Sequence, residues 1–214
     1  MSQLNDMDTT ANEQASTPTW FRGIIQGKTR IILAWAFAFV LGFTAREYPA
    51  WPGIVVCFFG AALRYWASGY LRKDTRPAVG GPYSFVRNPL YLGTYLMAFG
   101  AVWAIQNWPL LLFQTVTFAV IYHYIILDEE TKLHRIFQGS YPEYCEKVPR
   151  FFPRIWPPLA PAPKAALLQI NPEQAHLHFS HALAMKNKAY EAFASFAGLI
   201  GYEILAAYLW KLFS

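Results

Sequence analysis

The chain has little charge for its length and only two cysteines. Of its 214 residues, 14% are charged and 55% are hydrophobic, whereas soluble domains carry roughly 25% charged residues. So little polar surface cannot cover a soluble globule, and the apolar residues come in long blocks, which indicates a membrane protein. Cys57 lies in an apolar run and Cys145 in a charged one. They provide no disulfide framework, and we expect a reducing compartment.

The net charge of +5 does not indicate a nucleic-acid partner. Basic residues cluster beside the apolar segments, as the positive-inside rule expects of a membrane protein. Residues 1–28 lack the basic and apolar regions of a cleaved signal. They are rich in Ser, Thr and Gln and predict a mobile cytosolic tail.

Five apolar segments predict transmembrane helices, each of which needs roughly 20 predominantly apolar residues. The candidates are residues 31–45, with an extension back through 23–26, then 52–71, 90–106, 108–127 and 189–213. The third and fourth segments are almost contiguous and predict a tight helical hairpin. The fold class that follows is an all-α, polytopic membrane protein of about five transmembrane helices.

Loop charges predict the orientation of these helices. Basic residues are concentrated before the first segment, between the second and third, and between the fourth and fifth. Of the other two connections, the first holds only Arg46 and Glu47, and the second holds no charged residue. The N-terminus is then cytosolic and the C-terminus external. We expect an integral protein of the bacterial inner membrane, or of the endoplasmic reticulum if the source is eukaryotic.

The predicted organisation has four parts, in which a membrane core and its cytosolic catalytic segment are flanked by a tail and a connector. The parts are the tail at 1–28, the core at 29–160, the cytosolic connector at 161–188 and the fifth helix at 189–214. Six prolines between Pro149 and Pro163 exclude a regular helix there. With Phe151, Phe152 and Trp156, this run predicts a segment along the membrane interface.

The stretch from Gly81 to Gly93 contains a helix start at the predicted cytosolic face. Asn88 predicts an N-cap, and Pro89 a first helical turn in which no amide donor is missed. The free amides at a helix N-terminus bind anions, and Arg87 adds a positive charge beside them. An ordinary capped span with an Arg reaching to the interface explains the same residues, so both alternatives stay open.

Three acidic residues follow the fourth apolar segment: Asp128, Glu129 and Glu130. A helix C-terminus disfavours negative charge, so they either begin a new helix after a bend or provide a counter-charge for a cation. The hairpin returns Glu129 to the membrane face of the third helix start. A helix end, a carboxylate and an aromatic side chain (Tyr83 or Tyr91) suit the carboxylate, ammonium and sulfonium of S-adenosylmethionine, and other zwitterions as well.

At these positions the sequence resembles the isoprenylcysteine carboxyl methyltransferase family and its phospholipid methyltransferase relatives. The segment from Gly81 to Gly93 is similar to the family's R-H-P-x-Y-x-G region, and Glu129–Glu130 to its paired glutamates. Further matching positions follow at the expected spacing: Leu133, Phe137, Tyr141, Tyr144, Val148 and Pro149. The resemblance covers roughly Arg64 to Arg154.

The resemblance implies a membrane enzyme that transfers a methyl group from S-adenosylmethionine to an amphiphilic carboxylate, amine or thiol. It assigns to a cytosolic-facing cofactor pocket Thr75, Arg76, Pro77, Ala78, Tyr83, Arg87, Asn88, Pro89, Leu90, Tyr91 and Glu129. Glu130 is a catalytic candidate, as the base for an amine or phenol, with His134 as the alternative. Arg150 is the second catalytic candidate, for steering an anionic headgroup, and an interfacial Arg is its alternative.

Two positions depart from the family pattern. Asn88 replaces the usual His, which keeps a cap and removes a titrating base. Ile125 stands where the prenylcysteine enzymes carry an Arg for the substrate carboxylate, so we expect poor use of a prenylcysteine. Two other functions stay open, a membrane reductase with a nicotinamide cofactor and a non-catalytic membrane adaptor. No phosphate-binding run for a dinucleotide is evident.

Other residues carry charge, metal-binding groups or small side chains inside or near the predicted spans. Arg64 and Glu203 lie at membrane depth, where charge is costly and indicates function. Either they pair, or Arg64 lines the cavity. No acid or Cys is spaced for metal binding with the three histidines His176, His178 and His181. Small residues of the fifth helix predict close packing on other spans, with homodimerisation as the alternative: Ala194, Ala197, Gly198 and Gly201.

Overall fold

The computed structural model describes residues 28–72, 78–137, 140–153 and 178–214. In these ranges the chain forms seven α-helices and one 3₁₀ helix and no extended strand, so the predicted all-α class is confirmed there. The α-helices are α1 (Lys28–Thr44), α2 (Trp51–Ser68), α3 (Pro89–Ala104), α4 (Trp108–Ile136), α5 (Ser140–Lys147), α6 (His181–Lys186) and α7 (Tyr190–Phe213), and the 3₁₀ helix is Gly81–Ser84.

Each of the five apolar segments forms a helix, and four of these helices lie close to their predicted bounds. By length and composition, α4 and α7 are able to cross a membrane, and no other helix in the described ranges meets both criteria. The helices α1, α2 and α3 have 17, 18 and 16 residues. The count of five spans stays a prediction. The predicted tail, its extension through 23–26 and most of the proline-rich run lie outside the described residues.

The helix α4 continues past the predicted span end at 127 to Ile136. The three acidic residues therefore lie inside a continuous helix, and the expected helix end or bend at Asp128 is wrong. The last turn of α4 instead holds His134 and Arg135, whose basic side chains suit the negative end of the helix dipole. This extension carries Glu129 and Glu130 beyond the apolar part of the helix.

Contacts between helix termini define the two opposite ends of the bundle. At the first end, the Ala50 amide donates to the Ala104 carbonyl at 2.8 Å, so α2 begins beside the end of α3. At the same end, Lys211 Nζ lies 2.6 Å from Glu47 Oε2, so α7 ends beside the α1–α2 connection. The five long helices consequently alternate in direction.

At the opposite end, α6 closes the C-terminus of α2. The Ser180 amide donates to the Gly69 carbonyl at 3.0 Å. The Asn187 side-chain amide donates to the carbonyls of Ser68 and Leu71, at 2.9 and 2.7 Å. The last carbonyls of a helix have no partner within the helix, and Asn187 satisfies carbonyls at this terminus from a distant part of the chain.

Close helix packing occurs between α2 and α3. A Cβ atom added to any of four glycines would overlap backbone atoms of the facing helix. These glycines are Gly53 and Gly60 on α2, and Gly93 and Gly100 on α3. In α7, by contrast, Gly198 and Gly201 have no atom within 4 Å of an added Cβ. The expected packing of these two glycines on other spans is wrong, and homodimerisation through α7 stays a prediction.

Arg64 and Glu203 do not pair with each other. Arg64 donates to the hydroxyl of Thr94 and, at 3.4 Å, to the carbonyl of Leu90, so it joins α2 to α3. Glu203 is fully buried. Neither of its carboxylate oxygens has a hydrogen-bond partner among the described residues. Pairing, one of the two expected alternatives, is therefore not found, and Arg64 is also absent from the wall of the cavity described below.

The outer surface of the bundle is apolar along its length. Large hydrophobic side chains on four helices are exposed, among them Phe39, Phe59, Leu112 and Leu205. Monomeric soluble proteins rarely expose contiguous apolar patches larger than a few hundred Å². Hydrocarbon is the solvent that suits such a surface.

Candidate functional site

The described residues enclose a cavity of about 250 Å³ at the end of the bundle where α3 begins. Its wall contains eight of the predicted cofactor-binding residues: Ala78, Tyr83, Arg87, Asn88, Pro89, Leu90, Tyr91 and Glu129. The other three, Thr75, Arg76 and Pro77, lie outside the described residues. The undescribed stretch 73–77 connects two wall residues, Arg72 and Ala78. The structure thus brings the described part of the predicted set into one space.

The start of α3 forms one side of this cavity. Pro89 is the first helical residue, as predicted. Asn88 occupies the N-cap position, but its side-chain oxygen accepts no hydrogen bond from the helix amides. Its Nδ2 donates to the Arg150 carbonyl at 2.9 Å. The expected Asn88 cap is therefore wrong. A helix start without a side-chain cap, with Pro89 and Leu90 in the wall, leaves positive dipole density beside the cavity.

A hydrogen bond between α3 and α4 forms the adjoining wall. The Tyr91 hydroxyl donates to Glu129 Oε2 at 2.6 Å. The Tyr91 ring meets the Tyr122 ring edge-on, with centroids 5.2 Å apart. Glu129 is exposed to the cavity. The predicted meeting of Glu129 with the start of the third helix is confirmed, and its binding role stays a prediction.

Tyr83 contributes a buried hydroxyl that has no hydrogen-bond partner among the described residues. Burial raises the pKa of this hydroxyl, and the nearby Glu129 charge raises it further. The group is therefore a neutral donor at physiological pH. The Tyr144 hydroxyl fixes the Tyr83 backbone by donating to its carbonyl at 2.7 Å. An unpaired buried hydroxyl costs about 1–3 kcal/mol, so a ligand that accepts from Tyr83 would remove a cost.

The two predicted catalytic residues, Glu130 and Arg150, contact each other outside the cavity wall. Glu130 Oε2 lies 2.9 Å from Nη2 of Arg150 and 3.0 Å from its Nε. Glu130 Oε1 lies 3.0 Å from Arg87 Nη1. This second contact is an ion pair by distance without hydrogen-bond alignment, because Oε1 has no hydrogen-bond partner among the described residues. The catalytic roles of both residues stay predictions.

Seven wall residues are absent from the predicted set: Leu71, Arg72, Lys132, Leu133, Phe137, Tyr141 and Tyr144. Four of them, Leu133, Phe137, Tyr141 and Tyr144, are positions at which the sequence resembles the methyltransferase family. Helical spacing is a second signal, for three of the seven. Lys132, Leu133 and Phe137 follow Glu129 at helical spacings of three, four and eight, which place them on one face. Tyr141 and Tyr144 reach the wall because α5 packs around Val79 and Val148. No local pattern predicts that contact.

Cys145 and His134 lie behind the cavity, with Sγ and Nε2 4.0 Å apart. Burial raises the pKa of the Cys145 thiol above its ordinary value, so it is not a thiolate nucleophile at neutral pH. Both cysteines are free. The described ranges hold no group of three or more His, Cys, Asp or Glu that could bind a metal ion. His181 binds the Tyr65 hydroxyl at 2.6 Å, and His176 lies outside these ranges.

The charges and rings of the wall suit a zwitterion with an aromatic part. Arg72, Arg87 and Lys132 are cationic, and Glu129 is anionic. Tyr83, Tyr141 and Tyr144 provide aromatic surface. The volume of about 250 Å³ is just below the roughly 300–1,000 Å³ of typical small-molecule sites. Side chains of these kinds could bind a carboxylate, an ammonium group and a planar ring.

Comparison with known proteins connects this region to a family. The family described as phospholipid methyltransferase matches residues 59–140. That range contains the C-terminal half of α2, all of α3 and α4, and every wall residue except Tyr141 and Tyr144. No solved structure matches the chain.

Two curated relatives are bacterial. The chain is 32% identical over 94 residues to the nickel-cobalt-cadmium resistance protein NccN of Alcaligenes xylosoxydans xylosoxydans, a match that covers 43% of this chain and 44% of that protein. It is 27% identical over 138 residues to the cobalt-zinc-cadmium resistance protein CzcN of Cupriavidus metallidurans, covering 60% and 63%. Each match spans less than two thirds of the relative. Residues 59–140 thus resemble the phospholipid methyltransferase family, and the matched region is less than half of the chain.

Proposed function

We propose that the protein is an integral membrane enzyme that transfers a methyl group from S-adenosylmethionine to an amphiphilic acceptor. One observation carries the proposal. The start of α3, the Glu129 carboxylate and the unpaired Tyr83 hydroxyl share one cavity, and that cavity lies in the region matched by the methyltransferase family.

The wall supports a division of roles in binding the methyl donor. Arg87 and the start of α3 would bind the carboxylate, since both carry positive charge. Glu129, held by Tyr91, would bind the ammonium group, and the tyrosine rings would cover the adenine. Bound S-adenosylmethionine supplies an electrophilic methyl group on its sulfonium. The residues of this chain would then contribute alignment of donor and acceptor, which lowers the barrier for a direct displacement.

A five-span topology is part of the proposal. The helices α1, α2 and α3 have 17, 18 and 16 residues, so they extend about 24–27 Å at 1.5 Å per residue. That length is slightly less than a bilayer core of about 30 Å, and flanking residues or local thinning make up such differences. The alternating helix directions and the apolar outer surface support five crossings, with the cavity on the cytosolic side.

The acceptor is proposed to enter sideways from the lipid. The predicted interfacial segment begins next to the cavity. There the centroid of the Phe151 ring lies 6.1 Å from that of Phe118 and 6.2 Å from that of Tyr95.

A nicotinamide dinucleotide is larger than S-adenosylmethionine, and a cavity of about 250 Å³ does not favour the reductase alternative. In a non-catalytic adaptor that binds no ligand in the cavity, the Tyr83 hydroxyl would stay buried without a hydrogen-bond partner.

The names of the two relatives suggest a second candidate role. Both are called metal resistance proteins. We propose that any part of this chain in metal resistance depends on methyl transfer, since the described residues offer no cluster of metal ligands. Comparing growth on nickel, cobalt and cadmium salts with the wild-type gene and with a Glu129→Gln gene tests this dependence.

Replacing Glu129 with Gln should weaken binding of S-adenosylmethionine, because a charged hydrogen bond is lost. The expected loss is about 1.5–3 kcal/mol, or roughly tenfold to a hundredfold in Kd. Isothermal titration of the purified protein measures it. Glu191→Gln, on the exposed first turn of α7, is the matched control and should bind normally. Equal affinities in the two variants would remove Glu129 from the site.

Replacing Tyr83 with Phe should separate ligand binding from stability. The free protein loses no hydrogen bond, so its thermal unfolding temperature should stay the same or rise. Affinity for S-adenosylmethionine should fall by about 0.5–1.5 kcal/mol, roughly twofold to tenfold, because a ligand hydrogen bond is lost. A stable variant with unchanged affinity would show that this hydroxyl does not contact the donor.

Single-cysteine labelling tests the topology. In a chain with Cys57 and Cys145 replaced by Ala, new cysteines at Glu146, Glu47 and Ser214 lie at exposed positions. A membrane-impermeant maleimide added outside should label the last two, and should label position 146 only after the membrane is opened. Labelling of position 146 together with 214 from one side would contradict five crossings.

The acceptor class is tested by a methylation assay with radiolabelled S-adenosylmethionine. The substrates are a total membrane-lipid extract, lipid amines, lipid thiols and a prenylcysteine analogue. We expect turnover of at least one amphiphile and little of the prenylcysteine, because Ile125 offers no charge to its carboxylate. Efficient prenylcysteine turnover would contradict the role given to Ile125. Turnover of water-soluble acceptors alone would contradict entry from the lipid.

A further inference from the structure

Residues 149–153 are attached to the start of α3 by two hydrogen bonds. The Arg87 amide donates to the Pro149 carbonyl at 2.9 Å. The Asn88 side chain donates to the Arg150 carbonyl at 2.9 Å. Arg87 and Asn88 also line the cavity, so the segment is fixed to the residues that form the cavity wall.

Glu130, on α4, contacts the side chains of both Arg87 and Arg150. Its side chain is 7% exposed and lies between Arg87, 12% exposed, and Arg150, 41% exposed. Hydrogen bonds between ionised groups are shorter and stronger than neutral ones. Removing one member of a buried ion pair leaves an uncompensated charge. One carboxylate therefore connects three separate stretches of the chain.

Phe151 connects this segment to the α3–α4 hairpin. Its ring packs against Phe118 and Tyr95. The Phe118 ring stacks on Tyr122 with centroids 3.7 Å apart, and Tyr122 meets Tyr91 on the cavity wall. A continuous row of aromatic contacts thus runs from Phe151 to the cavity.

We propose that Glu130 is a positioning residue, which anchors residues 149–153 across the hairpin and so holds Phe151 in the aromatic row. The inference rests on the proposed function in one respect, that this row borders the path of the acceptor. Glu130 does not line the cavity, and both its oxygens lie within 3.0 Å of guanidinium groups. It accepts no proton from the acceptor. The acceptor must then be a nucleophile that reacts without Glu130 as a base.

Hydrogen–deuterium exchange of the full chain in nanodiscs tests the anchor without any acceptor. The variants are Glu130→Gln and Arg150→Gln, and Glu146→Gln, an exposed carboxylate on α5, is the control. The reporter is the Arg87 amide, which donates to the Pro149 carbonyl of the anchored segment. We expect exchange about tenfold faster in the first two variants, because charge-assisted bonds are lost. Unchanged protection in a folded Arg150→Gln protein would overturn the proposal, even if Glu130→Gln fails to fold.

Kinetics with the membrane-lipid extract distinguish an anchor from a base. If Glu130 is an anchor, Arg150→Gln lowers kcat and keeps the Kd for S-adenosylmethionine within about twofold. The pH–rate profile of this variant then has the same acidic and basic limbs as that of the wild type. Glu130→Gln lowers kcat in the same way. A base predicts that Glu130→Gln removes one limb while Arg150→Gln keeps wild-type kcat, and that result would overturn the proposal. If no acceptor is methylated, the proposed function fails, and amide exchange still decides whether the anchor exists.

Discussion

A carboxylate that stays ionised when buried needs compensating charge, and Glu130 has two cationic partners that come from opposite directions along the chain. Arg87 approaches from the residues before α3, and Arg150 from those after α5. This compensation is possible only because α4 continues beyond its apolar part as one helix. The cavity depends on the same extension, since Glu129, on the next residue, meets Tyr91. One uninterrupted helix thus brings a buried, ion-paired carboxylate and a cavity-facing carboxylate to the start of α3.

Much of this arrangement could be predicted from the sequence, because its causes are local. The length of the apolar segments predicts the five helices, and the Asn88–Pro89 pair predicts the start of α3. The short connection at Asn107 predicts the helical hairpin. The Asn107 side chain accepts from the Leu110 amide at 3.0 Å and begins α4. The errors concern choices between partners. Asn88 fits an N-cap equally well by sequence, but the Arg150 carbonyl, 62 positions away, takes its amide.

Inside the bundle, neither a small-residue pattern nor a charged residue in the sequence identifies the neighbour that it contacts. The α2–α3 contact is close because glycines face each other's backbones, as small residues allow between membrane helices. Gly198 and Gly201 of α7 also belong to a small-residue pattern but face open space. A small-residue pattern thus shows where close packing is allowed, and only the fold determines whether a neighbour is present. Arg64 illustrates the same limit, since it bonds to Thr94 and Leu90 rather than to an acid.

Asn187 has a consequence for how the family region and the whole chain differ. Its side chain holds the carbonyls of Ser68 and Leu71, and Leu71 belongs to the cavity wall. Asn187 itself lies outside residues 59–140, the part shared with the family. The matched part carries all the wall residues except Tyr141 and Tyr144, while Asn187 supports one edge of the cavity from outside it. A protein that shares only the family region must hold this edge by other means, so similar ligand-facing residues need not give cavities of the same shape.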